Sequence, residues 1–162
     1  MTPIKRDLEI IITQCKLQKA TEPYQIAGFT WAYHEAKILA LGGLQWGELT
    51  ETRILDWAAI IEPRKNRHGY RKTPVQIKGN LAMSALLIPQ AMEQWLGRLT
   101  DYIFESIFEP KPDDLCDEFY RQFEEIHPFI DGNGRLGHLL WAVSCFWVRG
   151  VWPTVLPPDF WS

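Results

Sequence analysis

The sequence predicts an all-α, mainly helical domain that carries one small β-hairpin. Three observations predict it. Apolar residues recur at helical spacing in six stretches of the 162-residue chain. A single stretch, residues 70–88, alternates apolar and polar side chains instead. Nearly half the residues are apolar, and no repeat, low-complexity tract or linker interrupts them. Residues 1–162 are therefore expected to form one domain with a sizeable core.

The elements follow in order. Residues 6–19 carry Leu8, Ile11, Ile12 and Cys15 at helical spacing. Residues 29–41, FTWAYHEAKILAL, form a second helix that Gly42 and Gly43 stop. Ile54, Trp57, Ala58 and Ile61 mark a third helix, ending near Pro63. TPVQIK then alternates around Val75 and Ile77, and ALLI follows after Gly79 and Asn80, which reads as a hairpin with a loose turn. Pro74 has no N–H to give a ladder, so its strand belongs at an edge. Residues 90–108 present Met92, Trp95, Leu96, Leu99, Tyr102, Ile103 and Ile107 as one long stripe. Residues 114–126 put Leu115, Phe119, Phe123 and Ile126 on one face, and residues 134–149 do the same with Leu136, Leu139, Leu140, Val143 and Trp147. The tail WPTVLPPDFW holds three prolines and is expected to be extended.

Composition excludes several classes of function. The net charge of −3 offers no electrostatic footprint for nucleic acid. The longest basic cluster, PRKNRHGYRK at 63–72, reads as a solvated loop. Cys15, Cys116 and Cys145 are odd in number and unpaired in spacing, which fits a reducing compartment. The opening MTPIKRDLEIIITQC is too briefly apolar for a signal peptide or a membrane span. The expectation is a cytoplasmic protein without membrane contact. Eight tryptophans are read as packing residues.

The chemistry gathers in HPFIDGNGRLG, residues 127–137. A helix must end near His127, because Pro128 disfavours helical backbone before it. The next helix begins around residues 133–135. Gly132 and Gly134 allow positive φ and close approach of a ligand to the backbone. Free N–H groups at that helix start, with Asn133 among them, form an anion site aided by the helix dipole. Arg135 can fork onto phosphate oxygens. Asp131 beside such a cradle repels phosphate unless a cation intervenes, which suggests Mg²⁺. His127 is then a natural general base for an incoming hydroxyl. Each fragment has a plainer reading: DGNG is an ordinary turn, Asn133 an ordinary N-cap, and a histidine before proline is commonly structural.

The full string resembles the signature of the Fic/Doc family, H-P-F-x-[D/E]-G-N-G-R-x-x-R, through His127, Pro128, Phe129, Asp131, Gly132, Asn133, Gly134 and Arg135. The resemblance implies a helical Fic core with a β-hairpin flap. It implies transfer of a nucleoside monophosphate, usually AMP from ATP, to a Ser, Thr or Tyr hydroxyl of a target protein. His127 would be the base, Asp131 the Mg²⁺ ligand, residues 132–134 the phosphate cradle, Arg135 the polyphosphate clamp and Phe129 a buried anchor. Upstream, HGYRKTPVQIKG resembles the family's flap at Gly69, Tyr70, Arg71, Pro74, Val75 and Ile77. That places a flap at about 69–88, with Thr73, Pro74 and Val75 docking an extended target segment along an exposed edge.

The resemblance also breaks in places. His138 replaces the second signature Arg, the ligand of the γ-phosphate. A neutral imidazole there is a weaker ligand, at a cost of about 2–4 kcal/mol of transition-state stabilisation. Residues 33–41, YHEAKILAL, resemble the family's inhibitory helix at Tyr33, His34 and Ile38, yet Leu39 stands where its Glu belongs. His34 is therefore read as a packing or surface residue. An antitoxin-like or homo-oligomeric partner is left as a source of that carboxylate. The resemblance further implies a C-terminally shortened member, with Trp152, Phe160 and Trp161 patching the uncovered face. A catalytically weakened nucleotide- or protein-binding module stays open as an alternative. So does a Doc-like kinase, although Gly134 stands where the kinase motif has Lys.

Overall fold

A computed structural model describes residues 2–42, 49–112 and 114–160. Its elements are α1 (Pro3–Leu17), α2 (Pro23–Leu41), α3 (Glu51–Ile61), β1 (Gln76–Ile77), β2 (Asn80–Leu81), α4 (Ile88–Phe108), α5 (Leu115–Ile126) and α6 (Asn133–Arg149). The mainly helical architecture with one hairpin is as the sequence predicts.

Helix starts depart most from the sequence reading, because prolines and side-chain caps open helices before any apolar period shows. Thr2 accepts a hydrogen bond from the Lys5 N–H at 3.3 Å and Pro3 opens α1. Pro23 likewise opens α2 six residues before the expected start, with Gln25 reaching back to the Glu22 N–H at 3.2 Å. Gly28, in α2, lets that helix press onto α3, since a Cβ there would collide with the Ile60 carbonyl. Of the two glycines expected to stop α2, Gly42 is its C-cap, and Gly43 lies outside the described residues.

The helix expected to show one apolar face is instead the hub of the fold. Every residue of α6 from Asn133 to Cys145 is buried, and α5, α2, α3 and α4 pack around it. Gly137 permits this, because a Cβ there would press on Tyr120 and Phe123 of α5. Its polar members find partners inside, as Ser144 does on the Leu140 carbonyl at 2.6 Å.

The hairpin is shorter than expected and turns elsewhere. Lys78 and Gly79 both have positive φ, as primed two-residue turns require, and they pair Ile77 with Asn80 and Gln76 with Leu81. Asn80 is thus in the second strand rather than the turn. The ALL of residues 85–87, expected as strand, is a 3-10 turn leading into α4. Pro89 in the first turn of α4 sets that helix, and the preceding apolar residues tuck in as its lead.

The described tail forms no helix or strand, in line with its prolines, and is anchored to the body of the domain. Trp152 is buried and donates to the Tyr33 hydroxyl at 2.9 Å, which itself reaches Asp7 of α1. Phe160 lies beside the Tyr120 ring; Trp161 lies outside the described residues. Trp57, Trp95 and Trp141 are packed in the core as expected of tryptophan, whereas Trp31 is 68% exposed; the three cysteines are buried and free. No described helix is long and apolar enough to cross a membrane.

Candidate active site

Residues 127–132 join the C-terminus of α5 to the N-terminus of α6. Helix α5 ends as predicted at His127, whose backbone is left-handed at φ 49° and ψ 62°. Such a conformation costs a non-glycine residue roughly 1–2 kcal/mol. Arg71 holds it there. Its guanidinium donates to the carbonyls of His127 at 2.7 Å, Met83 at 2.6 Å, Thr73 at 3.0 Å and Ile126 at 3.4 Å, and its backbone N–H donates to the Pro128 carbonyl at 2.9 Å. One side chain thereby ties the base of the hairpin to the end of α5.

Two side chains shape the loop from within. Asn133 accepts from the Phe129 N–H at 3.0 Å and donates to the Phe129 carbonyl at 2.9 Å. Phe129 itself is buried against Tyr70, the anchor expected of it. Asn133 is thus the first residue of α6, and Gly132 takes the cap position with φ +76°. A Cβ at Gly132 would press on Ile61 and Glu62, so this glycine answers both to backbone and to space. Gly134 is helical, without the positive φ its type allows. Its missing side chain instead leaves room for the Gln18 carboxamide at the end of α1.

The helix start leaves the N–H groups of Asn133, Gly134 and Arg135 without intrahelical acceptors, and among the described residues no other acceptor takes them. Asp131 lies beside them. It accepts the Gly132 N–H at 2.7 Å on one oxygen and the Lys65 ammonium at 2.5 Å on the other. Burial alone raises its pKa, but Lys65, the Gly132 amide and Arg135 outweigh that and hold it below the usual carboxylate value. The loop therefore presents free amides and an ionised carboxylate side by side.

His127 sits at the other end of the loop, half-buried. Burial pushes its imidazole below the usual histidine value, against a smaller opposing pull from the Glu124 carbonyl, so the ring is neutral at pH 7. Its Nδ1 is buried with no hydrogen-bond partner.

The two remaining signature positions turn inward. Arg135, expected as a polyphosphate clamp, is 1% exposed; its Nη2 lies 2.8 Å from Oε1 of Glu62, which is fully buried and also receives Gln25 Nε2 at 2.6 Å. His138, expected as a weak phosphate ligand, faces the core, between the rings of Phe29, Tyr33 and Trp141. Burial lowers its pKa to about 3, so it contributes no charge. An imidazole is compact enough for the helix to seal it among aromatic rings, where a guanidinium would need a partner.

The basic cluster read as a solvated loop is part of this framework. Arg71 and Asn66 are buried, and Lys65 is bound to Asp131. Asn66 donates to the carbonyls of Asp131 at 2.7 Å and Ala58 at 3.2 Å, which lashes the α3 exit to the loop. Thr73 and Pro74 are exposed and Val75 half-buried, just before β1, so the flap residues are accessible. Sequence reasoning assigned no role to Lys65, Glu62, Asn66 or Gln18; each acts across a long stretch of chain and carries no local signal.

The Fic/DOC family model matches residues 48–145, a span that includes α3, the hairpin and the loop. Comparison with curated proteins gives no match.

Proposed function

This chain belongs to the Fic/DOC family, and on that footing we propose that it transfers a nucleoside monophosphate, in the first instance AMP from ATP, to a Ser, Thr or Tyr hydroxyl of a target protein. The observation that carries the proposal is the loop itself: three free amides at the start of α6, with the Asp131 carboxylate beside them and a neutral His127 across the loop.

The amides of Asn133, Gly134 and Arg135 receive phosphate oxygens, helped by the α6 dipole. Arg135 supports them from beneath, its charge balanced by Glu62. Gln18 is exposed and lies over Gly134, so its side chain must swing aside to admit the ligand. His127 takes the proton of the acceptor hydroxyl as its oxygen bonds to the α-phosphorus. The bond from that phosphorus to the bridging oxygen breaks, and pyrophosphate leaves with the electron pair. Thr73, Pro74 and Val75 guide the target segment along the open edge of the hairpin.

The donor set fits Mg²⁺. The described residues hold no cluster of three or more metal-ligating side chains, and Mg²⁺ asks for only one or two carboxylates plus phosphate oxygens and water. Asp131 is the one that would hold it, as its close cation partner already shows a preference for positive charge. Bound there, the ion would neutralise developing charge on the phosphates.

Incubation with α-labelled nucleoside triphosphates, Mg²⁺ and candidate targets tests the proposal. Label is expected on protein with the natural chain and not with His127→Ala. Label from the γ-position alone would indicate a kinase. The buried, neutral His138 favours one second reading, a module that binds nucleotide without turnover; nucleotide binding with no transferred label from any donor would establish it.

A further inference from the structure

We propose that Lys65 is a polyphosphate-binding residue, supplying to the loop the positive charge that His138 does not. This rests on the phosphate-binding reading above and adds a ligand to it.

Lys65 leaves α3 four residues past its last turn and meets the loop with its tip: Nζ lies 2.5 Å from Asp131 Oδ2, and the side chains are 47% and 35% exposed. The other oxygen of the same carboxylate holds the Gly132 N–H at 2.7 Å. The ammonium and the Gly132 N–H therefore share one carboxylate, at the residue just before the amides that open α6. Its backbone is tethered there. The Lys65 N–H donates to the Glu62 carbonyl at 3.2 Å, and its neighbour Asn66 bonds to the Asp131 carbonyl at 2.7 Å.

Neighbouring cations are already committed. Arg135 is enclosed with Glu62, Arg71 is spent on four carbonyls, and Arg64 lies over the Tyr24 ring at 4.1 Å. Among the described residues Lys65 pairs with Asp131, at the surface, and it has a four-carbon stem on which to pivot. The ledger of charge points the same way. Arg135 lies 2.8 Å from Glu62 and 3.6 Å from Asp131, so without Lys65 the loop would meet a triphosphate with one enclosed cation set against two carboxylates. A phosphate at the helix start offers Nζ a more highly charged acceptor within the swing of that stem.

Isothermal titration of the full chain with inorganic tripolyphosphate, with and without Mg²⁺ and at several salt concentrations, tests this. Lys65→Met is expected to weaken binding about tenfold or more and to flatten its salt dependence, with Lys65→Arg retaining most of it. Thermal melts of each variant report folding, and Lys65→Gln replaces Lys65→Met if the latter unfolds. If the natural chain binds and Lys65→Met binds equally or more tightly, Lys65 is only an ion-pair partner; this inference falls and the transferase reading stands. If the natural chain binds no tripolyphosphate in any condition, both fall together.

Discussion

Arg135 Nη2 lies 2.8 Å from Glu62 Oε1, and neither side chain reaches water. A buried ion pair contributes little net stability, yet removal of one partner strands the other charge. Arg135→Met is therefore expected to destabilise the fold by about 3–5 kcal/mol in urea unfolding. The double variant Glu62→Leu with Arg135→Met should recover most of that. Equal losses in the single and double variants would show that packing, not the stranded carboxylate, sets the cost.

Arg71 gathers four carbonyls from the hairpin base and the end of α5. A lysine carries the charge without the planar fork. Arg71→Lys is expected to cost about 2 kcal/mol, from buried acceptors left unpaired. Its own N–H, bonded to Pro128, and the Ala82 N–H, bonded to Val75, should exchange with deuterium faster than in the natural chain. Transfer activity should fall with them, because His127 then loses the contact that holds its left-handed backbone.

The pH profile of transfer should report His127. Burial depresses its pKa, so the base is unprotonated through neutrality. The rate should be flat near pH 7 and fall with acid only below the ordinary histidine value of about 6.5. His127→Ala should remove about 10²–10⁴-fold of the rate. A half-maximum above the ordinary value would contradict the assignment.

Glu124 gives the fold its own pH dependence. It is buried on α5 and desolvation raises its pKa to about 7, against about 4.3 in an unfolded chain. Between those values the native state holds a proton the unfolded chain has released. Its contribution therefore declines as pH rises through that window, by about 4 kcal/mol in all, and is fully present only below it. Urea unfolding at pH 4.5, 6 and 8 should show the decline, and Glu124→Gln should remove it.

The helical spans and the His127–Arg135 loop were legible because their signals are local. Periodicity marks a helix within two turns, and Pro128, Gly132 and Asn133 act within a few residues of themselves. Helix starts were less so, since Thr2–Pro3 and the Glu22–Gln25 cap lie outside the apolar pattern. The second strand was misplaced because ALL at 85–87 looks equally apolar as strand or turn; only the left-handed pair Lys78 and Gly79 decides the register.

The amino-acid order alone determined that the chain is helical, where it turns, and which residue types line the loop, because each of these depends on neighbours a few positions away. Tertiary structure alone decided where the charges go. Arg135 meets Glu62 across 73 residues, Lys65 meets Asp131 across 66, and Arg71 meets His127 across 56. A charged side chain carries no mark of its partner. Which cation is shut in the core and which stays at the loop is settled when α3, the hairpin and α6 pack together, since burial makes an unpaired charge costly and solvent makes it nearly free.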